Sequence, residues 1–362
     1  MTPSAQAAVA EAFGGRHGVL FGRARSALLA VFEALGLHGR SILLIPSNAC
    51  PSLLACAWAS GAQVTLAPVN ARTGVNDDAA LAAQIETLAA EGKTGAVLFT
   101  HLYGFRLSFD AARRAARQAG WQTIENDANS SGFTPGGAAR LEDVARIVSF
   151  GPGKVLDAGA GGAVITDDPA LAEALSARAA RYPALDEQAD RVETALTLER
   201  RRLRNAGQAS AGEALLLNEI SELRYAFPAS SEPDLLAALA RLPVRIARRK
   251  ARAALWQERL APFAPQLACV DLPQPGPWRL IARAEPEVRD DLVARLREAG
   301  IDAGTNYPAL SDAFPHLTGD QAHPDSEAWA RTALNLWLDA DYPAERIGQA
   351  VSIIASTLEA SS

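Results

Sequence analysis

Residues 145–166 read ARIVSFGPGKVLDAGAGGAVIT, and this stretch decides which fold we expect for the chain. Short apolar runs at 147–150 and 163–166 predict two buried strands. Between them a Gly-Pro-Gly turn leads directly to Lys154, and glycines on both sides let the backbone approach a ligand closely. Because ligands of open α/β sheets bind outside the carboxyl ends of the strands, we expect Lys154 to lie at a binding site.

Two known phosphate-binding loops do not fit this segment. The nucleotide P-loop requires Ser or Thr after its lysine, where this chain has Val155, and the dinucleotide fingerprint would require glycine in place of Leu156. Two interpretations of Lys154 stay open. It could act as a covalent amine, or it could be an ordinary surface lysine in a glycine-rich turn.

The scarcity of lysine favours a function for Lys154. Of the 35 basic residues only Lys93, Lys154 and Lys250 are lysine. Where arginine is used almost everywhere, lysine is expected to remain where a guanidinium cannot supply a neutral amine. Lys93 lies in a polar turn, and Lys250 follows two arginines on a predicted helix, so we interpret both as solvated.

Length, charge and cysteine content limit the classes of function. The 362 residues suffice for a large α/β unit with a smaller attachment, and 49% of them are hydrophobic. A net charge of −6 without a basic block argues against a nucleic-acid partner.

Three cysteines without a CxxC pair indicate neither a disulfide framework nor a metal site. With no signal peptide and no apolar run of roughly 18 residues, we expect a cytoplasmic protein without membrane contact.

Alternating strands and helices in the first half predict an α/β fold with a mostly parallel sheet covered on both faces. The predicted strands are 41–45, 64–66, 96–100, 121–125, 147–150 and 163–166, and the helices among them are 26–35, 51–60, 78–90 and 109–119. Long helices follow at 171–181, 187–205, 212–225 and 232–260. A small α+β unit comes last, with strands 278–284 and 335–338 and helices 287–299 and 343–358. We therefore expect a large domain over 1–260 and a small one over 261–362.

Polar residues follow other predicted strands, at 46–48, 101–104 and 125–129. A carboxylate in 125–129 could hold the protonated pyridine nitrogen of pyridoxal phosphate while a lysine forms a Schiff base with its aldehyde. The same carboxylate could instead cap a helix. Residues 22–26 open the first long helix, and its amino end could bind a phosphate. Ser26 could equally be a plain N-cap.

A series of short motifs runs through nearly the whole chain. They are Ser26-Ala27-Leu28 to Ala34-Leu35-Gly36, Ile45-Pro46-Ser47, Ser60-Gly61-Ala62, His101-Leu102-Tyr103-Gly104, Ile124-Glu125, Ser149-Phe150 to Lys154, Gly161-Gly162-Ala163-Val164-Ile165-Thr166, Ser221-Glu222-Leu223, Ala299-Gly300-Ile301 to Tyr307 and Leu334-Asn335-Leu336. In order and spacing they resemble the DegT/DnrJ/EryC1/StrS family of pyridoxal-phosphate-dependent sugar aminotransferases. The resemblance implies fold type I, with a seven-stranded-type sheet and a smaller carboxyl-terminal domain.

The resemblance also implies roles for individual residues. Lys154 is expected to be the Schiff-base lysine and proton shuttle, and Ser149 a phosphate ligand. Further expected cofactor ligands are Ala24, Arg25, Ser26, His101, Asn126, Asp127, Asn129 and Asn218, and expected substrate ligands are Tyr103, Asn306 and Tyr307. Family members are homodimers with shared active sites, so we expect the same here. The expected reaction moves an amino group from an amino acid, glutamate, to a keto sugar that is nucleotide-linked.

The acidic motif departs from the family pattern. The family has Glu-Asp-x-x-Gln, and counting back from Gly132 puts Asn126 at the aspartate position and Asn129 at the glutamine position. Asp127 lies one residue after the position of the family's aspartate. A neutral Asn would weaken the electron sink that transamination uses, so we predict that a one-residue shift brings Asp127 to the pyridine nitrogen.

Two further departures leave alternatives open. Where the family has Asn-x-Arg-Met-Ser-Glu, this chain has residues 217–222, so the asparagine that reaches a neighbouring subunit's phosphate is shifted to Asn218 or missing. A helical stretch at 186–205 replaces a more irregular segment. The departures near Asn126 and Leu217 favour, as an alternative, a lyase, a dehydratase or an aminotransferase of a non-sugar keto substrate. A non-catalytic protein that binds the cofactor is a second alternative, and the presence of Lys154 argues against it.

Overall fold

The computed structural model describes residues 4–130, 141–206, 208–270, 278–319, 321–339 and 342–360. The strands of the larger sheet are β1 His17–Phe21, β2 Ile42–Pro46, β3 Gln63–Ala67, β4 Gly95–Thr100, β5 Gln122–Asn126, β6 Ala145–Ser149 and β7 Gly162–Thr166. Their order in the sheet is β1-β7-β6-β5-β4-β2-β3. Strands β6, β5, β4, β2 and β3 run parallel, whereas β7 is antiparallel to both β6 and β1. The prediction of a mostly parallel sheet is confirmed.

Helices cover both faces of this sheet and make up most of the middle of the chain. They are α1 Ala5–Ala12, α2 Ala24–Ala34, α3 Pro51–Ser60, α4 Asp78–Ala90, α5 Asp110–Gln118, α6 Pro169–Ala179, α7 Glu187–Asn205, α8 Ala209–Asn218, α9 Glu232–Leu260, α10 Pro286–Glu298, α11 Leu310–Ala313, α12 Pro315–Thr318, α13 Pro324–Thr332 and α14 Ala344–Ala360. None of the helices in the described ranges is both long and apolar enough to span a bilayer.

Local sequence explains how the elements next to the sheet begin and end. Asp77 caps α4 by accepting a hydrogen bond from the N–H of Ala80. Pro51 opens α3, and Gly61 ends it in the left-handed region with φ of 78°. All residues of β2 and β6 are buried, as expected for strands covered on both faces.

A second, antiparallel sheet has the order β10-β11-β9-β8. Its strands are β8 Ala268–Cys269, β9 Arg279–Arg283, β10 Ala303–Gly304 and β11 Ala333–Trp337. Its core includes Trp256 and Leu260 from the carboxyl half of α9, whereas Leu235 and Leu242 from the amino half pack in a core of the larger sheet. Helix α9 thus connects the two cores, and the domain boundary at residue 260 stays a prediction.

Some elements differ from the sequence predictions. The amino-terminal α1 and β1 were not predicted, because β1 is short, contains Gly18 and gains its hydrogen bonds from β7, far along the chain. The helix predicted over 212–225 is α8 followed by a 3₁₀ turn at Glu219–Leu223. Lys93 and Lys250 are exposed, as predicted, but Arg249 next to Lys250 is only 1% exposed.

Candidate active site

The carboxyl ends of β4, β5 and β6 meet at one edge of the larger sheet because these strands are parallel. Thr100, Asn126 and Ser149 end the three strands and line a cavity of about 240 Å³. The lining also includes residues from the starts of α2 and α3, from the segments that follow β4 and β5, from the β6–β7 loop with Lys154, and from α7, together with Tyr307. The structure therefore brings several predicted site residues together around Lys154.

Hydrogen bonds within the β6–β7 loop fix the position of Lys154. The Asp157 carboxylate accepts from the N–H groups of Gly153 at 2.8 Å and Gly159 at 2.9 Å. Gly153 has φ of 74°, a conformation that favours glycine. A Cβ at this position would also lie 2.9 Å from the Trp337 ring. The turn before Lys154 thus requires glycine for both backbone and space.

Two side chains from distant parts of the chain hold the backbone around Lys154. Trp278 Nε1 donates to the carbonyl oxygen of Gly153 at 2.8 Å. The buried Arg249 guanidinium donates to the carbonyl oxygens of Lys154 at 3.4 Å and Trp278 at 2.8 Å, and pairs with Asp339 at 3.3 Å. Sequence reasoning missed both residues, since nothing in a basic helical run indicates that one arginine turns inward.

The side chain of Lys154 is half-buried, and its ammonium group lies against an amide and an indole ring. Its Nζ donates to Asn129 Oδ1 at 2.7 Å and lies 4.7 Å from the centre of the Trp278 ring. Burial, with a smaller contribution from the charge of Arg279, lowers the pKa of Lys154 to about 8. A large share of the amine is therefore neutral near pH 8 and able to act as a nucleophile or base.

Tyr307 closes the cavity from the side of the smaller sheet. Its hydroxyl accepts from Asn129 Nδ2 at 2.9 Å, and its ring stacks on Trp278 with centroids 6.0 Å apart. Tyr103 lies behind Tyr307, fully buried, and its hydroxyl accepts from Trp329 Nε1 at 2.8 Å and from the N–H of Tyr307 at 3.4 Å. Of the three predicted substrate ligands, Tyr307 lines this cavity and Tyr103 supports it from behind.

The amino end of α2 faces the cavity, with Ala24 and Arg25 in the lining. The N-cap residue is Arg23, and its side chain makes no capping hydrogen bond. The alternative that Ser26 is the N-cap is therefore wrong, and its hydroxyl instead accepts from the N–H of Tyr225 at 3.3 Å. An uncapped helix start of this kind attracts anions.

Helix α7 brings a carboxylate to the same place. Glu193 lines the cavity and pairs with the guanidinium groups of both Arg23 and Arg25. Asp190 pairs with Arg23 at 2.5 Å. A phosphate bound at the start of α2 would compete with Glu193 for these two arginines. The sequence indicated a helix here but did not indicate this contact.

Asn126 and Asp127 point to opposite faces of the sheet. Asn126, Ala128 and Asn129 line the cavity, whereas Asp127 is fully buried with its carboxylate 3.9 Å from Arg106. Neighbouring residues of an extended strand alternate between faces, and no bulge shifts this register. The expected one-residue shift of Asp127 toward the cavity is not found, and Asn126 occupies that wall.

The opposite face of β5 carries a buried group of charged side chains. Glu125 is bound by His101 Nε2 at 2.7 Å, Arg106 at 3.0 Å and Arg146 at 2.5 Å. Burial would raise the pKa of Glu125, but the hydrogen bond from His101 and the charges of these neighbours hold it well below the usual range. Burial, with the charge of Glu125, raises the pKa of Asp127. His101, predicted to contact the cofactor, thus lies on the face away from the cavity.

Two other predicted residues lie outside the cavity. Asn218 is exposed at the end of α8. Asn306 lines a second cavity, of about 440 Å³, and the next residue, Tyr307, lines the first.

The first cavity therefore combines a partly buried lysine amine, an uncapped helix start with Arg25, and the Ser149 hydroxyl. These groups fit a phosphorylated aldehyde that attaches to an amine, and the combination is typical of fold type I enzymes that use pyridoxal phosphate.

Comparisons with known proteins agree with this class. The model of the DegT/DnrJ/EryC1/StrS aminotransferase family matches residues 5–355, and the chain belongs to this family. The dTDP-3-amino-3,4,6-trideoxy-alpha-D-glucose transaminase of Streptomyces venezuelae is 29% identical over 331 residues, 88% of this chain and 77% of the relative.

Solved structures share the fold. Streptomyces venezuelae DesV in complex with a ketimine intermediate has a TM-score of 0.75 and 23% identity, and the match covers 98% of this chain and 89% of that one. Spr1654 from Streptococcus pneumoniae in its PMP form has a TM-score of 0.77 and 15% identity, covering 99% and 93%. The predictions of the family, of the α/β fold and of an aminotransferase are confirmed.

Proposed function

We propose that this protein moves an amino group from glutamate to a nucleotide-linked keto sugar, with pyridoxal phosphate as its cofactor. The observation that carries the proposal is Lys154, an amine with a lowered pKa fixed at a sheet edge beside an anion-attracting helix start. Membership of the family and the name of the S. venezuelae relative support a sugar as the acceptor.

The residues around the cavity divide into three groups by what they would hold. Lys154 would attach the aldehyde carbon. The first N–H groups of α2, the Arg25 guanidinium and the Ser149 hydroxyl would bind the phosphate. Asn126 would face the ring nitrogen, a role that the sequence prediction assigned to Asp127. The bound cofactor supplies an electron sink that stabilises negative charge at the carbon of the amino donor.

Lys154 is also the group that moves the proton. Once its amine is released, Nζ can accept the proton from Cα of the donor, and a pKa of about 8 suits that exchange near neutral pH. The hydrogen bond to Asn129 Oδ1 at 2.7 Å sets the direction of Nζ. Tyr307 and Trp278 cover this side and reduce the access of water.

We further propose a cytoplasmic homodimer with shared active sites and with domains over 1–260 and 261–362. The exposed position of Asn218 is compatible with a contact to a partner subunit. Light scattering on the purified protein would give twice the chain mass; a monomeric mass at working concentration would contradict this part.

The test of the function is the half-reaction with glutamate. Purified protein saturated with pyridoxal phosphate should release 2-oxoglutarate in an amount equal to its active sites. Addition of a keto sugar nucleotide should then make turnover continuous. If no common amino donor yields its oxo acid, the aminotransferase proposal fails.

Asn126 favours a second candidate function with the same cofactor. This would be either a different reaction, such as that of a lyase or dehydratase, or amino transfer to a non-sugar keto acceptor. A neutral side chain at the ring nitrogen weakens the electron sink on which transamination depends. Product analysis with an amino sugar substrate separates the candidates: loss of water or of a carbon fragment without 2-oxoglutarate release would support the second one.

A further inference from the structure

The second cavity contains an unusual concentration of positive charge. It is lined by the side chains of Arg201, Arg279 and Arg297, with Asp302 as the one carboxylate among the lining residues. The lining thus has an excess of two positive charges. Within the described ranges, none of the three guanidinium groups forms an ion pair with a carboxylate.

Arg279 is the least exposed member of the group. Its guanidinium lies between two indole rings, 4.3 Å from the centre of Trp278 and 4.1 Å from that of Trp337. Its Nε is buried and makes no hydrogen bond within the described part of the chain. Gly304 leaves room for it, since a Cβ there would lie 3.1 Å from Arg279 Nη1.

The other two arginines come from different helices. Arg297 on α10 donates from Nε to the carbonyl oxygen of Ala303 at 2.9 Å, and this bond orients the guanidinium. Arg201 lies on α7, the same helix that brings Glu193 to the first cavity. Burial lowers the pKa of both Arg279 and Arg297, and the positive charge of Arg201 adds to the effect at each, as does that of Arg249 at Arg279.

The two cavities are neighbours around Trp278. The Lys154 ammonium lies 4.7 Å and the Arg279 guanidinium 4.3 Å from the centre of the Trp278 ring. Because both distances end at the same ring centre, the Lys154 ammonium and the Arg279 guanidinium are no further apart than the sum of the two. Residues 306 and 307 likewise line one cavity each. The two cavities therefore lie close enough together for the two ends of one extended substrate.

From this arrangement we propose that Arg201, Arg279 and Arg297 form an anion subsite that holds the dianionic phosphate or diphosphate of the acceptor while its keto carbon reaches Lys154. A tetrahedral phosphoryl group offers oxygens to several guanidinium groups at once, whereas a carboxylate is satisfied by one arginine. A sugar phosphate carries both charges on one phosphoryl group, and a nucleoside diphosphate ester carries one charge on each of two adjacent phosphoryl groups. This inference rests on the proposed aminotransferase function.

The subsite is tested by calorimetric titration of the cofactor-loaded protein, whose own phosphate site is then filled. The probes are inorganic pyrophosphate, glucose 1-phosphate and thymidine diphosphate. Arg201→Gln and Arg297→Gln should each weaken binding about tenfold or more. Both side chains are exposed, so these variants should fold. The matched control is Arg295→Gln, on the same helix as Arg297 but paired with Asp291; it should change binding less than about twofold.

The outcomes separate this inference from the proposed function. Tighter binding of thymidine diphosphate than of glucose 1-phosphate would identify a nucleotide-linked acceptor, and the reverse a sugar phosphate. The glutamate half-reaction of the wild type tests the proposed function separately, because it needs no acceptor, and Arg295→Gln should leave it unchanged. If none of the probes binds, or if Arg201→Gln and Arg297→Gln match the control, the subsite is overturned even where the half-reaction succeeds. A rise in the KM for glutamate without an effect on the probes would assign the arginines to the donor and equally overturn it.

Discussion

The two faces of β5 satisfy their polar groups in different ways. On one face the Glu125 carboxylate is paired with His101, Arg106 and Arg146, so that its charge is satisfied within the protein. On the other face Asn126 and Asn129 line a cavity and carry no charge. The first arrangement needs nothing from outside and stabilises the sheet, whereas on the second face the Asn126 amide borders a cavity where a ligand can contact it.

The largest expected effect is on the cavity face. Lys154→Ala should reduce the glutamate half-reaction by about 10⁴-fold, because both the nucleophilic amine and the proton acceptor are lost. The yellow absorbance of the bound cofactor should disappear, while the melting temperature stays close to that of the wild type. Lys250→Ala, which removes an exposed lysine, is the control and should leave both readouts unchanged.

The next effect is on the charged face. Glu125→Ala would leave the buried Arg146 and its neighbours without their counter-charge, and we expect a loss of about 3–5 kcal/mol in the free energy of unfolding. Urea denaturation followed by circular dichroism measures this loss. Glu199→Ala, at an exposed ion pair with Arg202, should cost far less. Equal effects of the two variants would contradict the account of this face.

A pair of adjacent substitutions tests which side chain faces the ring nitrogen. Asn126→Asp should raise the rate of the glutamate half-reaction about tenfold or more, since a carboxylate there would stabilise charge delocalised into the ring. Asp127→Asn should leave that rate nearly unchanged. Stopped-flow absorbance measures both. A large loss of rate in Asp127→Asn with no gain in Asn126→Asp would restore the role that the sequence alone predicted for Asp127.

The smallest expected effect concerns α7. Glu193→Gln removes the carboxylate that pairs with Arg23 and Arg25, so pyridoxal phosphate should bind about fivefold more tightly. Equilibrium dialysis of the cofactor gives the dissociation constant, with Glu199→Gln on the same helix as the control. Weaker binding in Glu193→Gln would mean that Glu193 orients the arginines instead of competing with the phosphate.

Sequence reasoning succeeded where the signal is local. The bounds of α3, α4, α7 and α9 agree with their predicted ranges, because each helix has apolar periodicity over many residues and clear terminal signals. Lys154 could be singled out because it is one of three lysines and follows a Gly-Pro-Gly turn. Both features can be read from neighbouring residues.

It failed where long-range packing decides the outcome. A strand's register fixes which face each side chain takes, and a shift of one residue exchanges Asn126 for Asp127. The burial of Arg249 and the contact of Glu193 with Arg23 and Arg25 depend on helices that meet only in the folded chain. Arg201, Arg279 and Arg297 likewise line one cavity only because their separate elements meet in the folded chain.

The central claim is that Lys154 attaches the cofactor, and the low number of lysines makes it directly testable. The protein should be loaded with pyridoxal phosphate, reduced with borohydride, digested and mapped by mass spectrometry. We expect one stable adduct per chain, on the peptide that contains Lys154. An adduct on Lys93 or Lys250, or none at all, would contradict the account.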